Sequence, residues 1–211
     1  MDPRIAPVLA AQRALLAPVA FGGGLDGAEW AVDVTRAVRA VAGCDHTLFL
    51  LPTEGALRVY SADTDPAVGR AFEAAAAGAW GEDPTRPDDL LSAAAGVRQR
   101  AGAGAYHERD LAPRAAVERS PFFQEALAPY GLRHVMGIAV PLPDGREFSV
   151  AAFYERPDAA GFTDATLADL SLLVPAFDAG VRAYLRYGPE ATARRSGFTA
   201  AVDALGTATL V

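Results

Sequence analysis

The chain has 211 residues, 51% of them hydrophobic and 21% charged, with a formal net charge of -7. That length supports one sizeable core with helical extensions rather than two domains. The acidic balance opposes nucleic-acid binding, because phosphate affinity is built from clustered cations.

Cys44 is the single cysteine and cannot close an internal disulfide. No apolar run approaches the ~20 residues that span a bilayer, and no early segment pairs a basic start with a continuous apolar stretch. The expectation is a soluble, cytoplasmic chain that makes no contact with membrane. All cations are Arg, Lys and Asn do not occur, and Ile stands only at Ile5 and Ile138, a bias that fits a high-GC bacterial source.

In chain order, Ile5, Val8, Leu9, Leu15, Leu16 and Val19 recur at helical spacing, interrupted by Gln12, which predicts an amphipathic helix over 4–19. The run from Phe21 to Gly27 reads as a loop, since Gly22, Gly23 and Gly24 maximise the entropy cost of ordering. Trp30, Val34, Ala37, Val38 and Val41 share one face of a helix over 28–42 that Gly43 stops. His46 to Leu51 and Ala56 to Ser61 form a hairpin pattern. Asp65-Pro66 starts an Ala-rich helix ending near Trp80, residues 81–87 read as a loop, and 88–100 as a helix. The glycines at 102 and 104 argue against a core strand, and 106–112 reads as a short strand or ordered loop.

Ser120-Pro121 repeats the cap-and-proline start of a helix that ends before Pro129. Strands follow over 131–142 and 147–155, joined at Pro143-Asp144-Gly145, where proline presets the turn and glycine accepts positive φ. Thr163 caps a long helix, with Phe162 and Leu167 at staple spacing, ending at Tyr187-Gly188-Pro189. A last helix over 190–205 and a strand-like 207–211 complete the reading, and the chain reads as the front part of something longer.

Other chemistries fit the residues less well. Cys44 and His46 lie on one face of a strand start, which permits a thiolate–imidazole reading, but no orienting third group or oxyanion donor accompanies them, so a buried small hydrophobe is the better account. His46, His107 and His134 form no short-range ligand pair, so no metal site is expected. The triple glycine lacks the strand and the Lys-Ser/Thr of a phosphate loop. Asp88-Asp89 suits a helix start, and Arg194-Arg195 suits a solvated helix face. No catalytic residue and no cofactor is named by the sequence.

Two patterns point to function. On the first strand after Gly131, His134, Met136, Ile138 and Val140 alternate with Val135, Gly137 and Ala139; on its partner, Phe148, Val150, Ala152 and Tyr154 alternate with Ala151 and Phe153. Both faces are mostly apolar and both should be covered. The Gly137, Ala139 and Ala151 face would admit a helix closely. The face carrying His134, Met136 and Tyr154, with Tyr106, His107, Phe122 and Phe123 from neighbouring segments, is the candidate ligand pocket, although the same aromatics suit a filled core equally. In the long helix, Leu167, Leu170, Val174, Phe177, Val181 and Tyr184 alternate three and four apart as a seam for a second protomer, while Leu173, Ala176, Gly180 and Ala183 form a small-residue face. Pro175 should kink its axis. The alternative is a seam packed wholly within the chain.

The stretches SPFFQEALAPYGLRHVMGIAVPL and DGREFSVAAFYERPDAAGFTDATLADLSLLVPAFDAGVRAYLRY resemble the second half of a GAF-type sensor domain, of the kind that precedes a LuxR-type helix-turn-helix in bacterial regulators. The resemblance covers roughly 28–187. It implies an α+β fold with a GAF/PAS-like central antiparallel sheet flanked by helices, with 1–27 as an N-terminal helix and Gly-rich loop and 188–211 as a C-terminal helix and connector. It also implies a non-enzymatic signal-input domain that binds a small molecule, forms a homodimer, and serves a DNA-binding output domain outside this chain. Members of two GAF branches use cysteines, as a disulfide relay reducing methionine sulfoxide or as a bilin anchor. The lone Cys44 lacks the relay, and the bilin motif is not visible. The competing classes are a ligand-free interaction module and a thiol-dependent enzyme using Cys44.

Overall fold

In the computed structural model, which describes residues 4–21, 25–53, 56–77, 90–154 and 161–187, one antiparallel sheet is covered by helices on both faces. The strands are β1 (His46–Thr53), β2 (Ala56–Tyr60), β3 (Gly104–His107), β4 (His134–Pro141) and β5 (Glu147–Tyr154), in the spatial order β2-β1-β5-β4-β3. The α+β class expected from the sequence is therefore the one observed. The glycine-bearing segment after residue 101 does supply a strand, but as β3 at the sheet edge, where one ladder suffices and a weak strand former is tolerated.

The helices are α1 (Ile5–Leu15), α2 (Ala17–Phe21), α3 (Gly27–Ala42), α4 (Pro66–Ala76), α5 (Leu90–Ala101), α6 (Glu108–Leu111), α7 (Arg114–Arg119), α8 (Asp164–Ser171) and α9 (174–187). Asp26 caps α3 by accepting from the Ala28 and Glu29 amides, and Gly43 ends it at φ 62°. The helix begun at Ser120 passes through a π turn over Phe123–Leu127 and a tight turn over Ala128–Tyr130, so β4 starts three residues later than Gly131. Gly145, at φ 85°, makes the β4–β5 turn as its sequence position requires.

The expected long helix is two helices. Thr163 caps α8 through Thr166 N–H, and the axis breaks at Leu172 and Leu173. Pro175 lies in the first turn of α9, the place where its missing N–H costs least. Gln12 of α1 donates to the Leu172 carbonyl at 2.9 Å. The polar interruption of the first helix stripe thus meets the break in the last.

One face of the sheet carries Phe49, Leu51, Met136, Ile138, Val140, Phe148, Val150 and Ala152, packed against α1, α3, α8 and α9. Trp30 of α3 sets an edge against Phe49 at 5.1 Å and stacks on Tyr184 at 5.2 Å, while its indole N–H donates to the Ala14 carbonyl of α1. The seam assigned to a second protomer is used in this layer. Leu170, Phe177 and Val181 are fully buried, Leu167, Val174 and Tyr184 pack against the same core, and Phe177 meets Phe49 at 5.8 Å. The physical reason is that the sheet face opposite these helices is itself bulky and apolar, and burying it within the chain takes up the seam.

The triple glycine, Asp88-Asp89, the loop at 81–87, Trp80, Arg194-Arg195, the helix at 190–205 and the strand at 207–211 lie outside the described residues.

Candidate functional site

The opposite sheet face carries the small residues. Register pairs Gly137 with Ala151 and with Tyr106, and Ala139 with Ser149 and with Gly104. A Cβ on Gly137 would lie 2.4 Å from the Val150 carbonyl oxygen, so the backbones of β4 and β5 leave no room there for any other residue. Above this floor stand Phe72 of α4, Ala94 and Arg98 of α5, Val117 of α7, and Phe122 and Leu127. Between floor and helices is a cavity of about 620 Å³, within the range of small-molecule sites. Among the described residues, short helices bridge the flanks of this face and leave its centre open: Phe72 and Phe122 meet edge to face at 4.8 Å beside it.

The cavity is mostly apolar; besides Thr53, Arg146 and Ser149 of its lining, its polar groups gather at two places. At one, Arg98 Nε donates to both oxygens of Glu147 at 2.9 and 2.7 Å, tying α5 to the start of β5. Gln99 reinforces the tie by donating to the Gly145 and Arg146 carbonyls, both at 3.2 Å. Tyr106 lies beside this pair with its hydroxyl donating to the Gly102 carbonyl. Burial, then the Glu147 carboxylate, pushes the Tyr106 phenol above its ordinary range, so it stays protonated at neutral pH. At the second place Glu108 is buried and accepts from His134 Nδ1 at 2.8 Å, from the Val135 amide at 3.1 Å and from Arg114 at 3.2 Å.

Of the residues proposed for the pocket from sequence, Tyr106, Phe122 and Met136 line the cavity. The Met136 side chain belongs to the opposite core, where it is buried with Ile138 and Ala152, and Phe123 packs in the cluster formed by Phe122, Ala126 and Leu132. His107 ties two segments together: its Nδ1 accepts from Arg109 N–H, which places its proton on Nε2 to donate to the Phe162 carbonyl. His134 serves Glu108, and Tyr154 stacks on Phe162 at 4.3 Å. The sheet face proposed for close helix approach is thus the one that borders the cavity. Strand alternation groups the side chains correctly but carries no label for which layer each face meets, and Tyr106 follows Gly137 because β3 pairs in that register.

Arg98, Glu147, Ser149 and Glu108 were missed from sequence. An Arg in an Ala-rich helix and a Glu opening a strand read as solvated residues, and nothing local says that they meet.

Cys44 is buried and its thiol donates to the His46 carbonyl at 3.3 Å. Burial pushes it up to about 11, the opposite of an activated nucleophile. Among the described residues no group of His, Cys, Asp and Glu is placed to hold a metal ion, and no helix is long and apolar enough to cross a membrane.

An α+β domain with a cavity between its antiparallel sheet and a cover of short helices is the class that fold and site define. No protein-family model and no curated protein matches the chain. Among solved structures it is similar to the crystal structure of the VqsR LBD domain from Pseudomonas aeruginosa, with a TM-score of 0.55 and 16% identity over 89% of this chain and 99% of that one. At that identity the likeness is one of fold.

Proposed function

We propose that the chain is the signal-input domain of a bacterial transcriptional regulator of the GAF-like kind that accompanies LuxR-type output domains: non-enzymatic, cytoplasmic, and responsive to a small molecule held in the cavity. The observation that carries this reading is the cavity itself, about 620 Å³ over a floor of Gly137, Ala139, Ser149 and Ala151. A fold neighbour described as an LBD, a ligand-binding domain, supports it. A ligand that binds the closed cavity better than an open one would shift the position of α5 and the helices around it, which is how a pocket state is passed to an output domain. Homodimerisation through a surface other than the Leu170, Phe177 and Val181 seam belongs to the same proposal.

The test uses the dye anilinonaphthalene sulfonate with the wild-type chain and with Ala151→Leu, which places a branched side chain in the cavity. Saturable one-site enhancement of dye fluorescence in the wild type, lost in a variant with unchanged circular dichroism, is expected. Equal dye binding by the two proteins would remove the cavity from the function.

A further inference from the structure

We infer that the cavity takes a planar, largely apolar molecule carrying a hydrogen-bond acceptor oxygen at one end, held by the outer edge of the Arg98 guanidinium. The inference rests on the ligand-binding reading above and adds the chemistry of the ligand.

The floor sets the shape. Gly137 pairs with Ala151 and Ala139 with Ser149, so two adjacent strands present a patch with no side chain larger than serine. Dispersion contact falls steeply with small gaps, so a flat ring system covers such a patch better than a branched or bulky body does.

The polar end sets the head group. Arg98 lines the cavity and its side chain is 20% exposed. Its Nε is taken by Glu147, while its two Nη nitrogens make no hydrogen bond among the described residues. Glu147 therefore fixes the plane of the guanidinium and leaves the Nη edge as a donor fork that no acceptor among the described residues takes up. The buried polar atoms without a partner among the described residues include neither Nη, so this edge is open to solvent, and an acceptor oxygen on a ligand would take the place of water there with a charge-assisted bond. The second acid of the cavity, Glu108, is buried and already met by three donors, so the site asks for an acceptor more than for a second donor.

Three probes of one ring system test this by displacement of the dye: naphthoate, naphthamide and ethylnaphthalene. Both oxygen-bearing probes should bind the wild type about tenfold or more tightly than ethylnaphthalene. Arg98→Met should abolish that advantage while sparing ethylnaphthalene, and Ala151→Leu should weaken all three. If ethylnaphthalene binds and is lost in Ala151→Leu but the oxygen gives no advantage, the cavity stands and the Arg98 head-group assignment falls. If no probe binds the wild type, both readings fall. Should Arg98→Met not fold, Glu147→Gln serves instead. Removing the counter-charge should then favour naphthoate over naphthamide by a further severalfold, and an unchanged ratio overturns the assignment.

Discussion

A Cβ placed on Gly180 would lie 2.0 Å from the carbonyl oxygen of Leu15 and 3.5 Å from the Trp30 ring. The last turn of α1 rests directly on the backbone of α9, and that approach closes the helical layer over the sheet. Gly180→Ala gains about 1 kcal/mol of helix propensity but forces the two backbones apart. A net loss of about 1–3 kcal/mol is expected by analogy with overpacked cores, measured as a lower urea midpoint. A stability equal to or above wild type would show that the layer opens without cost.

Phe177 is fully buried between α9 and the sheet, edge-on to Phe49. Phe177→Ala should cost about 3–5 kcal/mol. Phe177→Glu should unfold the chain, because a carboxylate would be buried with no partner. Circular dichroism with light scattering checks this, and a folded Phe177→Glu monomer would return the seam to a protomer interface.

Glu108 joins three parts of the chain through His134, Val135 and Arg114. Replacing it by Gln keeps the shape, removes the charge and leaves one of its donors without an acceptor. A loss of about 1–3 kcal/mol in chemical denaturation is expected. No change would mean that water already screens the group.

The Cys44 thiol is held neutral by burial, raised from 9.0 to about 11. Across pH 9 to 11 the unfolded chain releases a proton that the folded chain keeps, so stability falls as pH rises through that window, by at most about 2–3 kcal/mol. Cys44→Ala should lack this part of the alkaline loss while keeping the fold. Denaturation of both proteins across the window compares them, and parallel curves would contradict the burial account. Alkylation of the folded wild type at neutral pH should be slow for the same reason.

Local chemistry made much of this fold legible. The Asp144-Gly145 turn, the Thr163 cap, the Gly43 stop and the period-two patterns of β4 and β5 depend on neighbouring residues, and those elements stand where the sequence puts them within a few residues. The class followed, since helices around two apolar-faced hairpins have few ways to bury both faces. Which face met which layer did not follow. Both faces of β4 are apolar, and only the packing of Trp30, Phe177 and Tyr184 onto Phe49 and Phe148 assigned the Met136 side to the long helices. The same packing used the seam that spacing offered to a second chain. Arg98 and Glu147 stand 49 positions apart, and their pairing, like the cavity beside it, exists only once α5 is laid across the sheet. Periodicity is a property of a segment, whereas a pocket is the space that several segments fail to fill together, so it was decided by the tertiary structure alone.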